Sequence, residues 1–353
     1  MYCFKYIFIF ACLFCLGISS VYTQSTYKSQ ALFILDIAPD ARSSGMGDVG
    51  VATSPDAMSQ RWNPAKHIFA AQSYGVSASY TPWLNKISKG MNLGLISGFM
   101  RKERYAIGAS ATYLSIGGID LYSSDGTPTG SISSDEFAFD ASYSHRLGER
   151  FSGGITLRYA NAVKVESSGM PNGAALRPSP AFAGDVSFFY TSPIEAFGRE
   201  SNISLGTSIS NLGTKVKLSR EIFLPMKWAL GTTWSTFIDS KNDLAVSLDF
   251  NKSLVPINSD VVDYTVIEAI GKSFGNSRDF VWSTGVEYTY MKMAMLRAGY
   301  SNSKNEKRFR YFTLGAGLVY QSIKIDASYL LGTSSISTPL ANTFRISLSY
   351  FWN

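Results

Sequence analysis

Near the end of the sequence runs Thr343-Phe344-Arg345-Ile346-Ser347-Leu348-Ser349-Tyr350-Phe351-Trp352. Phe344, Ile346, Leu348, Tyr350 and Trp352 alternate with Thr343, Arg345, Ser347 and Ser349. A period of two places the apolar set on one face of a strand and the polar set on the other. The run is about ten residues long, the length a tilted strand needs to cross a bilayer. It ends in aromatic residues, which collect where a membrane meets water.

The same pattern recurs back to Ser73. Tyr74, Val76, Ala78 and Tyr80 share one face, as do Phe137, Phe139, Ala141 and Tyr143. Ile155, Leu157 and Tyr159 follow, then Phe182, Val186, Phe188 and Tyr190, then Leu244, Val246, Leu248 and Phe250. Trp282, Val286, Tyr288 and Tyr290 alternate with Ser283, Gly285, Glu287 and Thr289. The pattern predicts strands near 73–82, 91–100, 104–117, 135–147, 151–163, 181–191, 202–211, 226–237, 243–253, 281–290, 293–301, 310–320, 323–331 and 342–352, about fourteen in all. Segment 264–273 is open to a strand reading too. Short links (Arg101-Lys102-Glu103, Gly148-Glu149-Arg150, Met291-Lys292, Gln321-Ser322) alternate with long ones at 118–134, 164–180, 212–225, 254–280 and 302–309. Outer-membrane barrels alternate in this way, with short periplasmic turns and long external loops. The link at 192–201 is long for a periplasmic turn. An open sheet edge in hydrocarbon is too costly, so the last strand should pair with the first. The fold class is therefore all-β, a transmembrane antiparallel barrel. A soluble β-sandwich would show shorter strands and fewer aromatics at strand ends.

Composition agrees. Aromatics make up 14% of the 353 residues and charged residues only 16%, below the charge of an ordinary soluble surface. Residues 1–23 read as a signal peptide, with Lys5 before the apolar run Tyr6 to Ile18 and Val21-Tyr22-Thr23 as the cleavage site. A retained anchor and a lipoprotein at Cys12 are the weaker alternatives. Cys3, Cys12 and Cys15 all lie in this segment, so the exported chain has no disulfide and no Cys-based metal site. The net charge of +6 comes without a basic, aromatic-interleaved module, which argues against nucleic acid. No cofactor is expected. His67 and His145 are the two histidines, no G-x-S-x-G elbow is present, and no catalytic residues can be assigned.

Between signal and strands lies a different kind of segment, residues 24–72, rich in small and polar residues. Gly45-Met46-Gly47-Asp48-Val49-Gly50 matches G-x-G-x-x-G, but no buried strand precedes it and Pro55 follows closely, so it is not a dinucleotide loop. The glycines are read instead as backbone packed closely in a confined space. Gly45, Met46, Gly47 and Asp48, with Asn63, Pro64 and Ala65 before the first strand, resemble the N-terminal hatch of the FadL-type outer-membrane proteins. The fuller string Ile37 to Ala57, with Tyr80-Thr81-Pro82-Trp83-Leu84, resembles the PorV family of the type IX secretion system, the PorQ barrels being close competitors.

That resemblance implies three parts: signal 1–23, periplasmic plug segment 24–72 and transmembrane barrel 73–353, with Asn63-Pro64-Ala65 as the turn feeding the first strand. It implies a multi-pass barrel in the outer membrane of a Gram-negative bacterium, and the even strand count puts both termini in the periplasm. It also implies binding of secreted cargo through a C-terminal sorting domain, and delivery to a surface attachment complex. The implied partners are the type IX translocon, cargo C-terminal domains, a PorU-type sortase and outer-membrane lipid or lipopolysaccharide. The alternative from the wider superfamily is passive transport of hydrophobic small molecules. Candidate partner anchors are the apolar loop residues Ile222, Phe223, Leu224, Val255 and Ile257, with Gly169-Met170-Pro171-Asn172 another loop to consider. The competing reading folds them back over the barrel mouth. Candidate lipid-phosphate contacts are Lys304, Lys307, Arg308 and Arg310, with a second basic group at Lys215, Lys217, Arg220 and Lys227. The inward charges Arg158, Asp185, Asp243, Asp249, Glu287, Arg297, Lys324, Asp326 and Arg345 are expected to pair across strands rather than form a one-sign ring.

Overall fold

The computed structural model describes residues 30–82, 90–117, 119–123, 125–168, 178–217, 221–256, 264–275, 280–303, 310–332 and 342–353. Fourteen antiparallel strands close into a barrel. They are β1 (Tyr74–Pro82), β2 (Asn92–Arg101), β3 (Tyr105–Ser115), β4 (Pro128–Arg146), β5 (Phe151–Ser168), β6 (Ala181–Ala196) and β7 (Arg199–Gly213). The second half is β8 (Lys227–Phe237), β9 (Asn242–Ser253), β10 (Phe280–Tyr290), β11 (Ala294–Ser303), β12 (Tyr311–Tyr320), β13 (Ile323–Gly332) and β14 (Phe344–Trp352). Closure runs from Tyr74 opposite Trp352 to Tyr80 opposite Ile346. No strand of the ring is left with a free edge within the membrane, as hydrocarbon demands.

The wall is inverted relative to a soluble protein. Ile96, Leu157, Leu296 and Leu318 point outward and are 66%, 71%, 63% and 65% exposed, while Ser77, Ser97, Ser247 and Ser283 point inward and are buried. Only lipid outside makes that arrangement stable. Aromatic rings gather at two levels. One level holds Phe137, Tyr159 and Phe182, and the row Trp282, Tyr300 and Phe312. The other holds Tyr74, Trp352 and Tyr350, and the pairs Phe151–Phe188 and Phe197–Trp234.

Several boundaries differ from the sequence reading. β4 and β5 have 19 and 18 residues, so they rise above the ring and take up part of the expected long loops. A short strand, Ile119–Tyr122, pairs with this extension. The link at 192–201 is a tight hairpin, because Phe197 and Gly198 both take positive φ (55° and 71°) and the strands continue to either side. Segment 264–273 is not a strand. Thr265 and Glu268 form a reciprocal capping box, and α3 (Val266–Phe274) follows. Two shorter helices, α1 (Ala41–Ser44) and α2 (Ser59–Trp62), and the 3-10 turns Phe33–Leu35 and Pro64–Phe69 precede the barrel in the chain. No helix among the described residues is long and apolar enough to cross a membrane, so the crossings are made by strands.

Candidate functional site

The lumen is occupied by the chain's own residues 30–72. This insert starts at the long-loop end, where the Ala31 N–H donates to the Phe223 carbonyl at 3.0 Å and Gln30 reaches Ser253. Ala31, Leu32, Ile34 and Leu35 pack on Leu93, Leu114, Ala138, Ala160, Ala181, Val216 and Leu224 of the upper wall and mouth. Ile34 N–H donates to Glu136 Oε2 at 2.8 Å. The chain then descends and emerges at Ser73, whose N–H meets Asn353 at the short-turn end. Residue 30 and Asn353 therefore lie at opposite mouths. The apolar upper lumen draws Leu32 to Leu35 across, and the residues before 30, which decide the side of the N-terminal end, lie outside the described residues.

The glycines at 45 and 47 serve close packing against a matching set in the wall. Gly45 faces Gly315 so closely that a Cβ on either would sit 3.0 Å from the other's Cα. Met46 lies against Gly285 and Gly299, which stand opposite one another in β10 and β11. A Cβ at Gly299 would come within 2.1 Å of the Gly47 nitrogen. Gly47 has φ +75°, and its N–H donates to Thr313 Oγ1 at 2.8 Å. Asp48 accepts from the Tyr311 hydroxyl. Val51 meets the paired Gly206 and Gly231 in β7 and β8, and Ala65 meets Gly154 in β5. Reading the strands for alternation passed over these glycines, since a glycine on an inward face looks like a weak strand residue. Their complement lies some hundreds of residues away in sequence.

Charge completes the fit. Arg42 donates to Asp56 at 2.8 Å and to both Glu287 oxygens at 3.1 and 2.8 Å. Burial acts to lower the Arg42 pKa, but Glu287 and Asp56 outweigh it and hold the group cationic. Burial likewise raises Asp56, yet Arg42 and Lys66 overrule it and bring it to about 2. Glu287 also pairs with Arg297 at 2.6 Å, Arg297 with Asp326 at 2.8 Å, and Asp326 with Lys324 at 3.2 Å. On the opposite wall Arg158 binds Asp140 and Asp185, and Arg61 of the insert reaches Asp140 at 3.5 Å. Asp249 Oδ2 accepts from the Gly50 and Val51 N–H groups at 2.8 and 3.0 Å. Lys66 donates to the Gly50 carbonyl at 2.6 Å, and burial lowers its pKa to about 8 despite Asp56.

Asn63, Pro64 and Ala65 are not a turn into β1. Pro64 opens the 3-10 turn Pro64–Phe69, whose first free N–H, that of Ala65, donates to Asn63 Oδ1. Asn63 Nδ2 donates to the Val51 and Phe188 carbonyls, tying insert to insert and insert to wall. His67 stacks on Phe99 at 4.7 Å, and burial lowers its pKa to about 3. Below the insert, at the short-turn end, a cavity of about 1250 Å3 opens beside Phe69, Phe189, Thr191, Ser204, Thr233 and Ser247.

The loop candidates fare differently. Phe223, Leu224 and Val255 are buried at the mouth and the partly buried Ile222 packs beside them, the arrangement of the reading in which these loops fold back over the barrel. Ile257 and 169–172 lie outside the described residues, as do Lys304, Lys307, Arg308 and Arg220. Arg310 donates to the Ser303 carbonyl at 3.4 Å. Lys215 and Lys217 lie near Glu221, and Lys227 near Asp36. Asp243 lines the lower cavity, and Arg345 is buried in the lumen wall.

A closed barrel with an apolar outside and a lumen occupied by its own residues 30–72 defines an outer-membrane β-barrel. The fold is similar to the Pseudomonas putida toluene transporter TodX (TM-score 0.54, 12% identity, covering 89% of this chain and 98% of that one). It is also similar to the Ralstonia pickettii toluene transporter TbuX (0.53, 10%, 89% and 98%) and the CymD monoaromatic hydrocarbon channel (0.53, 13%, 89% and 98%). At such identities the likeness is one of fold. No curated protein matches the sequence. The model of the family described as type IX secretion system protein PorV matches residues 21–260, and the chain belongs to that family.

Proposed function

We propose that this outer-membrane component of the type IX secretion system binds secreted cargo through its C-terminal sorting domain. It then passes the cargo to the surface attachment complex with its PorU-type sortase. The observation that carries this reading is the filled lumen. Residues 30–72 are fixed to the wall by Arg42–Glu287, by Asp249 on two backbone N–H groups and by the interlocked glycines. A barrel occupied in this way is suited to work through its rim, on a rigid scaffold, rather than as a conduit. The long-loop end then faces the cell surface and the short-turn end the periplasm. The translocon and outer-membrane lipid or lipopolysaccharide complete the partner set. The alternative, passive transport of hydrophobic small molecules, draws on the likeness to the hydrocarbon transporters and on the apolar upper lumen. The buried ion pairs below it oppose an apolar path.

Cross-linking and recovery of the tagged protein from its own outer membrane tests the proposal. Cargo C-terminal domains and a sortase should be recovered. Recovery of lipid alone, together with uptake of a labelled fatty acid or aromatic by proteoliposomes, would replace it with the transport reading.

A further inference from the structure

We infer that α3 is an interfacial anchor, seated on the lipid leaflet at the long-loop end through Ile267 and Phe274. Three observations carry this. First, α3 lies at the rim, where one side of it packs on mouth residues Phe223 and Val255 and the other reaches the outer wall at Trp228. Trp228 is on the outward face of β8, since its neighbours Ala229 and Gly231 point into the lumen. Val266, Ala269 and Ile270 of α3 pack in one cluster with Trp228, Met226 and Leu254. Lys252 pairs with Phe280 across β9 and β10 and stands over its outward ring at 5.4 Å, yet is itself only 2% exposed.

Second, α3 sits at the level of the upper aromatic row. Phe274 approaches Trp228 with ring centroids 6.4 Å apart, and the next strand carries exposed Phe280 and Trp282, the latter 5.5 Å from Tyr300. Aromatic rings at this height mark the boundary between hydrocarbon and headgroups. Third, the helix has three faces in the order such a corner requires. Ala269 and Ser273 are buried against the rim. Rather more than a third of a turn on, past Val266 and Ile270, Ile267 and Phe274, one above the other at i and i+7, are 82% and 58% exposed. Glu268, Gly271 and Lys272 occupy the remaining arc and are exposed.

An isoleucine so exposed on a capped helix is unfavourable in water and favourable in an acyl boundary. Among the described residues, the exposed Ile267 and Phe274 adjoin Trp228 and the exposed Phe280 of the lipid-facing wall, so lipid is the occupant consistent with both surfaces. The helix then holds that side of the mouth at a set height.

All three cysteines lie within the first 15 residues, so single-cysteine variants can be read cleanly in the exported chain. I267C, F274C and K272C, each carrying bimane, would be reconstituted in phosphatidylethanolamine–phosphatidylglycerol vesicles with shallow doxyl lipids, with L157C on the wall as the lipid-exposed reference. Doxyl lipid should quench I267C and F274C severalfold more than K272C, and aqueous iodide should do the reverse. Iodide quenching of I267C and F274C as strong as that of K272C would overturn the inference. A benzophenone on I267C in native membranes supplies the second test: lipid adducts support it, and a protein adduct in place of lipid makes this face a protein-docking surface instead.

Discussion

The two ends of the insert are held by different physics. Residues 31–37 rest on alanines and leucines of the upper wall, with a single carboxylate, Glu136, reaching the backbone. Residues 40–69 are held by buried ion pairs, by side chains of the wall bonded to insert backbone, and by glycine-to-glycine contact. Apolar contact is non-directional and yields gradually as a segment shifts. A buried ion pair is lost all at once and leaves a charge without a partner. The upper part should therefore be adjustable and the lower part a fixed closure.

The largest effect should come from steric exclusion. In G299V the first added carbon would lie 2.1 Å from insert backbone, which no small shift can relieve. The barrel should still run as a compact species on unheated gels, while single-channel conductance rises and the insert becomes open to protease. Next comes R42A, which strands Glu287 and Asp56 in the lumen and should weaken seating by about 3–5 kcal/mol. Its signature is frequent opening in planar bilayers. L35A removes a buried apolar contact at the top and should cost about 2 kcal/mol. Protection of residues 31–37 from hydrogen exchange should fall with conductance unchanged. Opening as frequent as in R42A would collapse the distinction between the two ends.

The smallest effect concerns pH. His67 is held neutral with a pKa near about 3, against an ordinary value of 6.5. The seated state thus refuses a proton that the released state accepts below pH 6.5. Its contribution to seating is complete above that pH and is lost as pH falls toward 3, at ~1.4 kcal/mol per unit. Protease sensitivity of the insert should rise between pH 7.5 and 5.5, and H67F, which keeps the stacking on Phe99, should flatten that rise.

How much was legible follows from the range over which each signal acts. The alternation in Phe344 to Trp352 is local, and lipid on one side makes it strict, so the barrel and its closure could be read directly. The glycines of Gly45 to Gly50 were visible as close packing, but their partners Gly285, Gly299 and Gly315 sit in strands where alternation alone gives them no meaning. Segment 264–273 misled because its apolar residues fit more than one period, and the capping box at Thr265 and Glu268 decides for helix. Phe223, Leu224 and Val255 read as exposed anchors because loops are usually polar. Only the mouth of the barrel shows what they cover.

By itself, then, the sequence determined the membrane barrel and a strand number of about fourteen, with segment 264–273 left open, and it set the stretch before the strands apart in composition. Period, length and aromatic placement are properties of single strands facing a single solvent. The tertiary structure alone decided that Leu32 to Leu35 reach the long-loop mouth, that Arg42 finds Glu287 and that α3 packs at the rim against Phe223 and Trp228. Each of these joins segments far apart in the chain, and their pairing exists only once the strands have closed around the insert.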